Sequence, residues 1–236
     1  MNKVKLFCLP YAGGSAAIYG KWKKYLDKSI DLVPVELAGR GRRMSESFYD
    51  SMSQAVDDTY NIINPLIKQG DYAFFGHSMG TIIAFELCRK ILDKGGRQPL
   101  HLFVSGRYPP DLKTESEFLS RLPDNEFLQK IFKLGGTSAE IIENKELREI
   151  FVPILKADYR IIEEYRYINS NKKFDYGITA FTGKDDLEVS FSDIKEWGKH
   201  TTAQSLFYEF EGNHFFINGK ITEITEIINS TLKSVI

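Results

Sequence analysis

Hydrophobic positions along the chain follow two rhythms. Short, nearly unbroken apolar runs occur at Val4–Leu9, Leu32–Val35, Tyr72–Phe75, Leu100–Ser105, Gly177–Thr182 and Ser205–Phe210. Runs of this length, apolar on both faces, match strands covered on both sides, as in parallel sheets flanked by helices. Between them the period changes. Over Gly80–Leu92, the residues Ile83, Ala84, Leu87, Cys88 and Ile91 recur at three- and four-residue steps, which predicts a helix ended by Gly95-Gly96. Phe191–Lys199 is a further helical stretch, with His200 at its end. The alternation predicts an α/β, doubly wound fold with a mostly parallel central sheet.

One connection is out of proportion. Residues 106–176 separate the strand ending at Ser105 from the next, whereas a crossover needs only ~10–30 residues. Within this stretch Asp124–Leu134 reads as a helix stopped by Gly135-Gly136. Glu146–Ile168 carries a helical stripe of apolar residues from Leu147 to Tyr165, with Pro153 as an expected kink. These patterns predict a helical insertion over residues 115–170, within a single domain spanning 1–236 and lying over the C-terminal edge of the sheet as a lid. The alternative is a subdomain that adds stability alone.

Composition narrows the class. The 236 residues are 42% hydrophobic and 27% charged, with a net charge of −1, ordinary values for a globular enzyme. No overall basic field draws the chain to nucleic acid or to a membrane surface. The run Leu6–Leu9 is too short for a signal-peptide core, and no stretch approaches the roughly 20 apolar residues of a membrane span. Cys8 and Cys88 sit in apolar patterns and form neither a disulfide framework nor a metal site. The expectation is a cytoplasmic enzyme, monomeric, with no nucleic-acid or membrane partner.

Candidate chemistry centres on Gly76-His77-Ser78-Met79-Gly80, between a predicted strand and a predicted helix. A G-x-S-x-G elbow needs that context. The serine sits on a strained strand-to-helix turn, flanked by glycines that let strand and helix pack closely. The turn aims the Met79 N–H at an oxyanion, aided by the helix N-terminus. An acid and then a histidine should follow in the chain. Of four histidines, His77 lies inside the elbow in a packing role and His101 opens a strand. His200 ends a helix as a surface residue or helix-end cation, while His214 follows the last strand in a loop. His214 is the candidate base. The strand Gly177–Thr182 runs into Gly183-Lys184-Asp185-Asp186; a G-x-x-D turn selects Asp186 over Asp185 as the acid that fixes the imidazole tautomer. The loop Pro10–Ser15 should supply a second oxyanion donor, Ala12 N–H or otherwise Tyr11. Its Gly13-Gly14 lacks the spacing of a phosphate-cradling turn. These residues predict a serine hydrolase of the α/β-hydrolase fold. They would serve an ester and a thioester equally, so a carboxylesterase stays open, as does a non-catalytic binding module.

Four segments together resemble one family. Leu9–Ala16, Glu36–Arg43 (Glu-Leu-Ala-Gly-Arg-Gly-Arg-Arg), Phe75–Gly80 and Gly212–Phe216 are similar to the stand-alone, type II thioesterases of nonribosomal peptide and polyketide synthesis. Leu122–Leu128 and Leu134-Gly135-Gly136-Thr137 resemble that family's lid. The resemblance implies a substrate acyl group held as a thioester on the phosphopantetheine arm of an acyl or peptidyl carrier protein, a transient partner. It implies no cofactor of the enzyme's own, and it suggests editing of misprimed carriers. Ser78, Asp186 and His214 take the triad positions. The chain departs from the pattern at Leu187, where proline is frequent, and at Asn213 and Thr81, where glycine is. Arg40, Arg42, Arg43 and Arg107 are expected as cations facing an acidic carrier. Phe151, Tyr159 and Tyr165 are candidates for a size limit on the acyl group. The start at Met1, with no carrier or linker remnant, fits a free-standing enzyme.

Overall fold

The structure is a computed structural model that describes residues 3–112, 118–135, 140 and 143–235. Met1, Gly136 and Thr137, named above, and residue 115, where the expected insertion begins, lie outside the described residues.

Six strands form one sheet: β1 (Val4–Leu9), β2 (Ile30–Pro34), β3 (Tyr72–His77), β4 (His101–Ser105), β5 (Gly177–Gly183) and β6 (Ser205–Phe210). Their order is β2-β1-β3-β4-β5-β6, and every neighbouring pair is parallel. Alternate side chains feed two cores. Phe7, Leu9, Phe74, Leu102, Val104 and Ala180 face one layer, containing α1 (Met52–Ile67) and α2 (Met79–Asp93). Leu6, Cys8, Ala73, Phe75, Phe103 and Phe181 face the other, built on α6 (Ile221–Val235) and a 3₁₀ helix over Ala16–Lys24. This double coverage is why the strands read as unbroken apolar runs. Cys8 and Cys88 are both buried free thiols, and among the described residues no helix is long and apolar enough to cross a membrane.

The chain leaves β1 toward β2 on one side and returns to β3 on the other. That switch point opens a crevice at the C-terminal strand ends, where ligands bind in open α/β sheets. The loop after β1 and the elbow after β3 flank it.

The long connection carries α3 (Asp124–Lys133) and α4 (Lys145–Glu163). Gly135 ends α3 at φ +78°, and the Asn144 side chain caps α4. Phe127, Ile131 and Leu155 form a small core of their own with Leu122, Leu134 and Tyr159 beside it. Two expectations need correction here. Helix α4, which contains Pro153, stops at Glu163, five residues before Ile168, so Tyr165 lies beyond it. The stretch Phe191–Lys199 divides into α5 (Phe191–Lys195), closed by a Ser190/Asp193 capping box, and a 3₁₀ turn over Glu196–His200.

Candidate active site

Ser78 caps the N-terminus of α2 at φ 53° and ψ −115°, the one non-glycine residue with positive φ among those described. Such strain persists only where its surroundings impose it. A Cβ on Gly76 would lie 2.3 Å from the Gly80 carbonyl oxygen, and one on Gly80 would lie 2.2 Å from that of Leu9. No side chain fits at either position, so the glycines of the elbow are a packing requirement. The Ser78 N–H donates to the Ser105 carbonyl at 2.8 Å. Thr81, one of the departures, ties the same corner: its hydroxyl lies 2.8 Å from the Gly76 carbonyl oxygen and 3.0 Å from that of Ser105.

The two aspartates are placed differently. Asp186 Oδ2 accepts from His214 Nδ1 at 2.8 Å, and its carboxylate is fully buried. The backbone N–H groups of Glu188 and Val189 donate to Oδ1 at 2.9 and 3.2 Å, which holds the carboxylate in place. Asp185 is exposed. The Asp186 bond occupies Nδ1 and leaves Nε2 of His214 free to serve as a base. Glu188, which sequence reasoning did not single out, places Oε2 3.9 Å from the same Nδ1.

His77 is fully buried, with Nδ1 2.8 Å from the Ser105 hydroxyl and its ring 5.1 Å from that of His214. Burial, and next the charge of His214, hold its pKa well below the ordinary histidine range, so the ring is neutral. It also packs edge-on against Tyr11 and Phe216. His200 ends its helix as expected, but the alternative of a surface residue is corrected. Its side chain is 10% exposed, bonded to Asp111 and set against Phe85 and Trp197.

Ser78 and His214 line one small cleft with Ala12, Ile131, Leu155 and Tyr159. Both insert helices therefore contribute to its wall. Its volume is about 10 Å³, room for roughly one water. A groove of about 690 Å³ adjoins it along Ala12–Ser15, Met44 and Phe151, sharing Tyr11, Ala12, Leu155 and Phe215 with the cleft. The Met79 N–H is one of the four that a helix start leaves without an intrahelical acceptor. In the β1 loop, Gly13 N–H goes to Asp158 and Gly14 N–H to the Tyr11 carbonyl. Ala12 N–H has no acceptor among the described residues.

Two other expectations change. Tyr159 and Phe151 line the cleft and groove, but Tyr165 does not; its hydroxyl bonds Glu86 on α2. The expected arginine cluster also divides. Arg40 is 2% exposed and paired with Asp158 on α4, while Arg43 is held by Glu46 and Asp58. Arg42 alone of the three is exposed. Arg107 is half-buried over the Tyr108 ring.

Known proteins place this geometry. Linear gramicidin dehydrogenase LgrE of Brevibacillus parabrevis is 38% identical, over 98% of this chain and 89% of its own. The glycines after β1 stand here as Gly13-Gly14, without the spacing of a dinucleotide turn. The crystal structure of ClbQ from the colibactin NRPS/PKS pathway is 40% identical, with a TM-score of 0.95 over 99% of this chain and 98% of its own. YbtT, a type II thioesterase from the yersiniabactin NRPS/PKS biosynthetic pathway, is 27% identical, with a TM-score of 0.85 over 100% and 95%. The thioesterase domain model matches residues 4–232. With an elbow serine and an aspartate-bound histidine opening on one cleft of a parallel sheet, the chain belongs to the thioesterase domain family, the thioester hydrolases of the α/β-hydrolase fold.

Proposed function

We propose that this protein is a type II thioesterase that frees acyl or aminoacyl groups from the phosphopantetheine arm of carrier proteins in nonribosomal peptide and polyketide synthesis. The observation that carries the reading is that Ser78 and the Asp186-bound His214 line one small cleft adjoining a groove. In this mechanism His214 Nε2 takes the Ser78 proton as Oγ attacks the thioester carbonyl. The oxyanion rests on the N–H groups of Met79 and Ala12. The C–S bond then breaks and the His214 imidazolium gives its proton to the departing sulfur; a thiol with pKa near ~8.5 leaves easily. His214 next deprotonates water, which attacks the acyl-enzyme and releases the free acid. The protein needs no cofactor of its own, because the arm arrives with the carrier. We place the enzyme in the cytoplasm as a monomer that meets carriers transiently.

The test is kcat/KM across acetyl-, aminoacyl- and long peptidyl- or fatty-acyl-carriers. Editing predicts broad activity on short groups and a fall for long ones, since a pocket separates chain lengths by only ~1–3 kcal/mol per methylene. A sharp preference for one long chain points instead to product release.

Carrier recognition falls to cations other than Arg40 and Arg43. In the Ala16–Lys24 helix the buried residues Ala16, Tyr19 and Trp22 are spaced by three, so Ile18, Lys21 and Lys24 follow one line. Ile18 lines the groove; Lys21 and Lys24 are exposed, with no carboxylate partner among the described residues. They stand one and two turns along the helix from Ile18, beside Tyr25 and Ile221, and with the exposed Arg42 they are the cations we assign to the carrier's acidic surface. Reversing both lysines to glutamate should raise KM for an acyl-carrier ~3–10-fold, more at low salt, and leave KM for a short pantetheine thioester in place. Equal effects on both substrates would mean that the lysines act on the fold.

A further inference from the structure

The pair that removes Arg40 from the surface has a use of its own. The Asp158 carboxylate, 2% exposed, accepts from Arg40 Nη1 at 2.5 Å, from Arg40 Nη2 at 2.7 Å and from the Gly13 N–H at 2.7 Å. The same guanidinium donates to the Gly14 carbonyl at 3.4 Å and, through Nε, to that of Ala38 at 3.3 Å. Two opposite charges thus grip two peptides of one short loop, the acid by the Gly13 N–H and the arginine by the Gly14 carbonyl. Gly13 is at φ +77°, and a Cβ there would come within 2.5 Å of Leu155 Cδ2, one turn before Asp158 on α4. Insert helix and loop are therefore built to touch backbone to side chain. With the Gly14 N–H closed onto the Tyr11 carbonyl at 2.9 Å, every peptide around Ala12 is anchored.

We propose that Asp158 and Arg40 are positioning residues for the oxyanion hole, aiming the Ala12 N–H through their hold on Gly13 and Gly14, so that the hole is complete only while α4 is seated. The inference rests on the reading of Ser78 and Ala12 given above. A buried ion pair is weak evidence for stability, because apolar residues of similar volume often replace it at no loss. Bidentate Arg–carboxylate geometry does fix direction, and a donor misplaced by about 1 Å can lose ~10²-fold in rate. What the charges supply here is orientation, delivered from the insert to the catalytic loop.

The decisive variant is the double substitution Arg40→Met/Asp158→Leu, which removes both charges together. Active sites are titrated with a fluorophosphonate, kcat and KM measured on an acyl-N-acetylcysteamine thioester, and affinity measured for a trifluoromethyl ketone that forms an oxyanion on Ser78. We expect a melting temperature close to wild type, kcat per titrated site down ~10–100-fold, and KM changed far less. Ketone affinity should fall by the same factor as kcat/KM. Asp158→Asn alone keeps an oxygen toward Gly13 and should retain kcat per titrated site within about threefold of wild type, where Asp158→Leu should not. If the double variant fails to fold, that pair of single variants decides. Wild-type kcat and ketone affinity in the folded double variant, or equal kcat in the two single variants, overturns the proposal. Wild-type enzyme inert and unlabelled at Ser78 would sink the underlying site reading, and this inference with it.

Discussion

Ser78→Ala should fold as the parent does and lose ~10⁴–10⁶ of its turnover, the scale seen when a triad nucleophile is removed. Stability is expected to hold or rise slightly, because alanine keeps the Ser78 N–H bond to Ser105 that organises the elbow. The strained dihedrals are imposed by the close approach of Gly76 to Gly80 and of Gly80 to Leu9, not by the hydroxyl. The clean measurement is an acyl-loaded carrier with a mass readout of both proteins. The parent should show a transient acyl adduct on the peptide containing Ser78, and the variant none. Substantial steady turnover by well-folded Ser78→Ala would remove this serine from the chemistry.

The second large effect is expected at Asp186. Asp186→Asn should cost up to ~10⁴ in kcat, because an amide in place of the carboxylate favours the wrong imidazole tautomer and leaves the imidazolium unsupported. Asp185→Asn should change little, since that side chain is exposed while its backbone N–H bonds the Gly212 carbonyl. Glu188 makes the comparison sharper. Its carboxylate lies 3.9 Å from His214 Nδ1 and is partly exposed, close enough to supply some of the lost charge. Adding Glu188→Gln to Asp186→Asn should therefore deepen the loss, while Glu188→Gln alone should be mild. The reverse ranking of the two aspartates would reassign the acid.

The sheet was legible because strands buried on both faces carry their pattern in consecutive residues, as in Phe7-Cys8-Leu9 and Tyr72–Phe75. The elbow was legible for a related reason: it joins two readable elements, and its glycines are dictated by backbone contacts a few residues away. His214 and Asp186 were singled out by chain order and turn register, which a sequence carries directly. What escaped was long-range. Arg40 reads as a solvated loop cation until Asp158 meets it from 118 residues away. The apolar stripe from Leu147 to Tyr165 shows a helix but not its end, and the stop at Glu163 separates Tyr159, at the cleft, from Tyr165, on Glu86. Thr81 showed in the sequence only as a departure where glycine is frequent; its hydroxyl ties Gly76 and Ser105 together. In each case the missing information was which surface a side chain would find, and a one-dimensional pattern does not hold it.

A cleft with room for about one water beside Ser78 makes waiting time a basis for choice. We expect Ile131, Leu155 and Tyr159 to draw back as an acyl group enters, so the fraction of time the insert stands open would scale the capture of every carrier alike, ahead of the chemistry that sets kcat. Lid motions of this kind run on microseconds to milliseconds and gate turnover in many enzymes. A carrier whose cargo is promptly passed to the next module then presents its arm too briefly to be caught often. A carrier blocked by a group that no module accepts presents it repeatedly until an opening coincides. Correct and stalled intermediates need not differ in affinity for the pocket at all; they differ in dwell. An insert held open by redesign should raise the hydrolysis rate while lowering the yield of the assembly line, because it would begin to consume the intermediates that a slow-opening enzyme leaves alone.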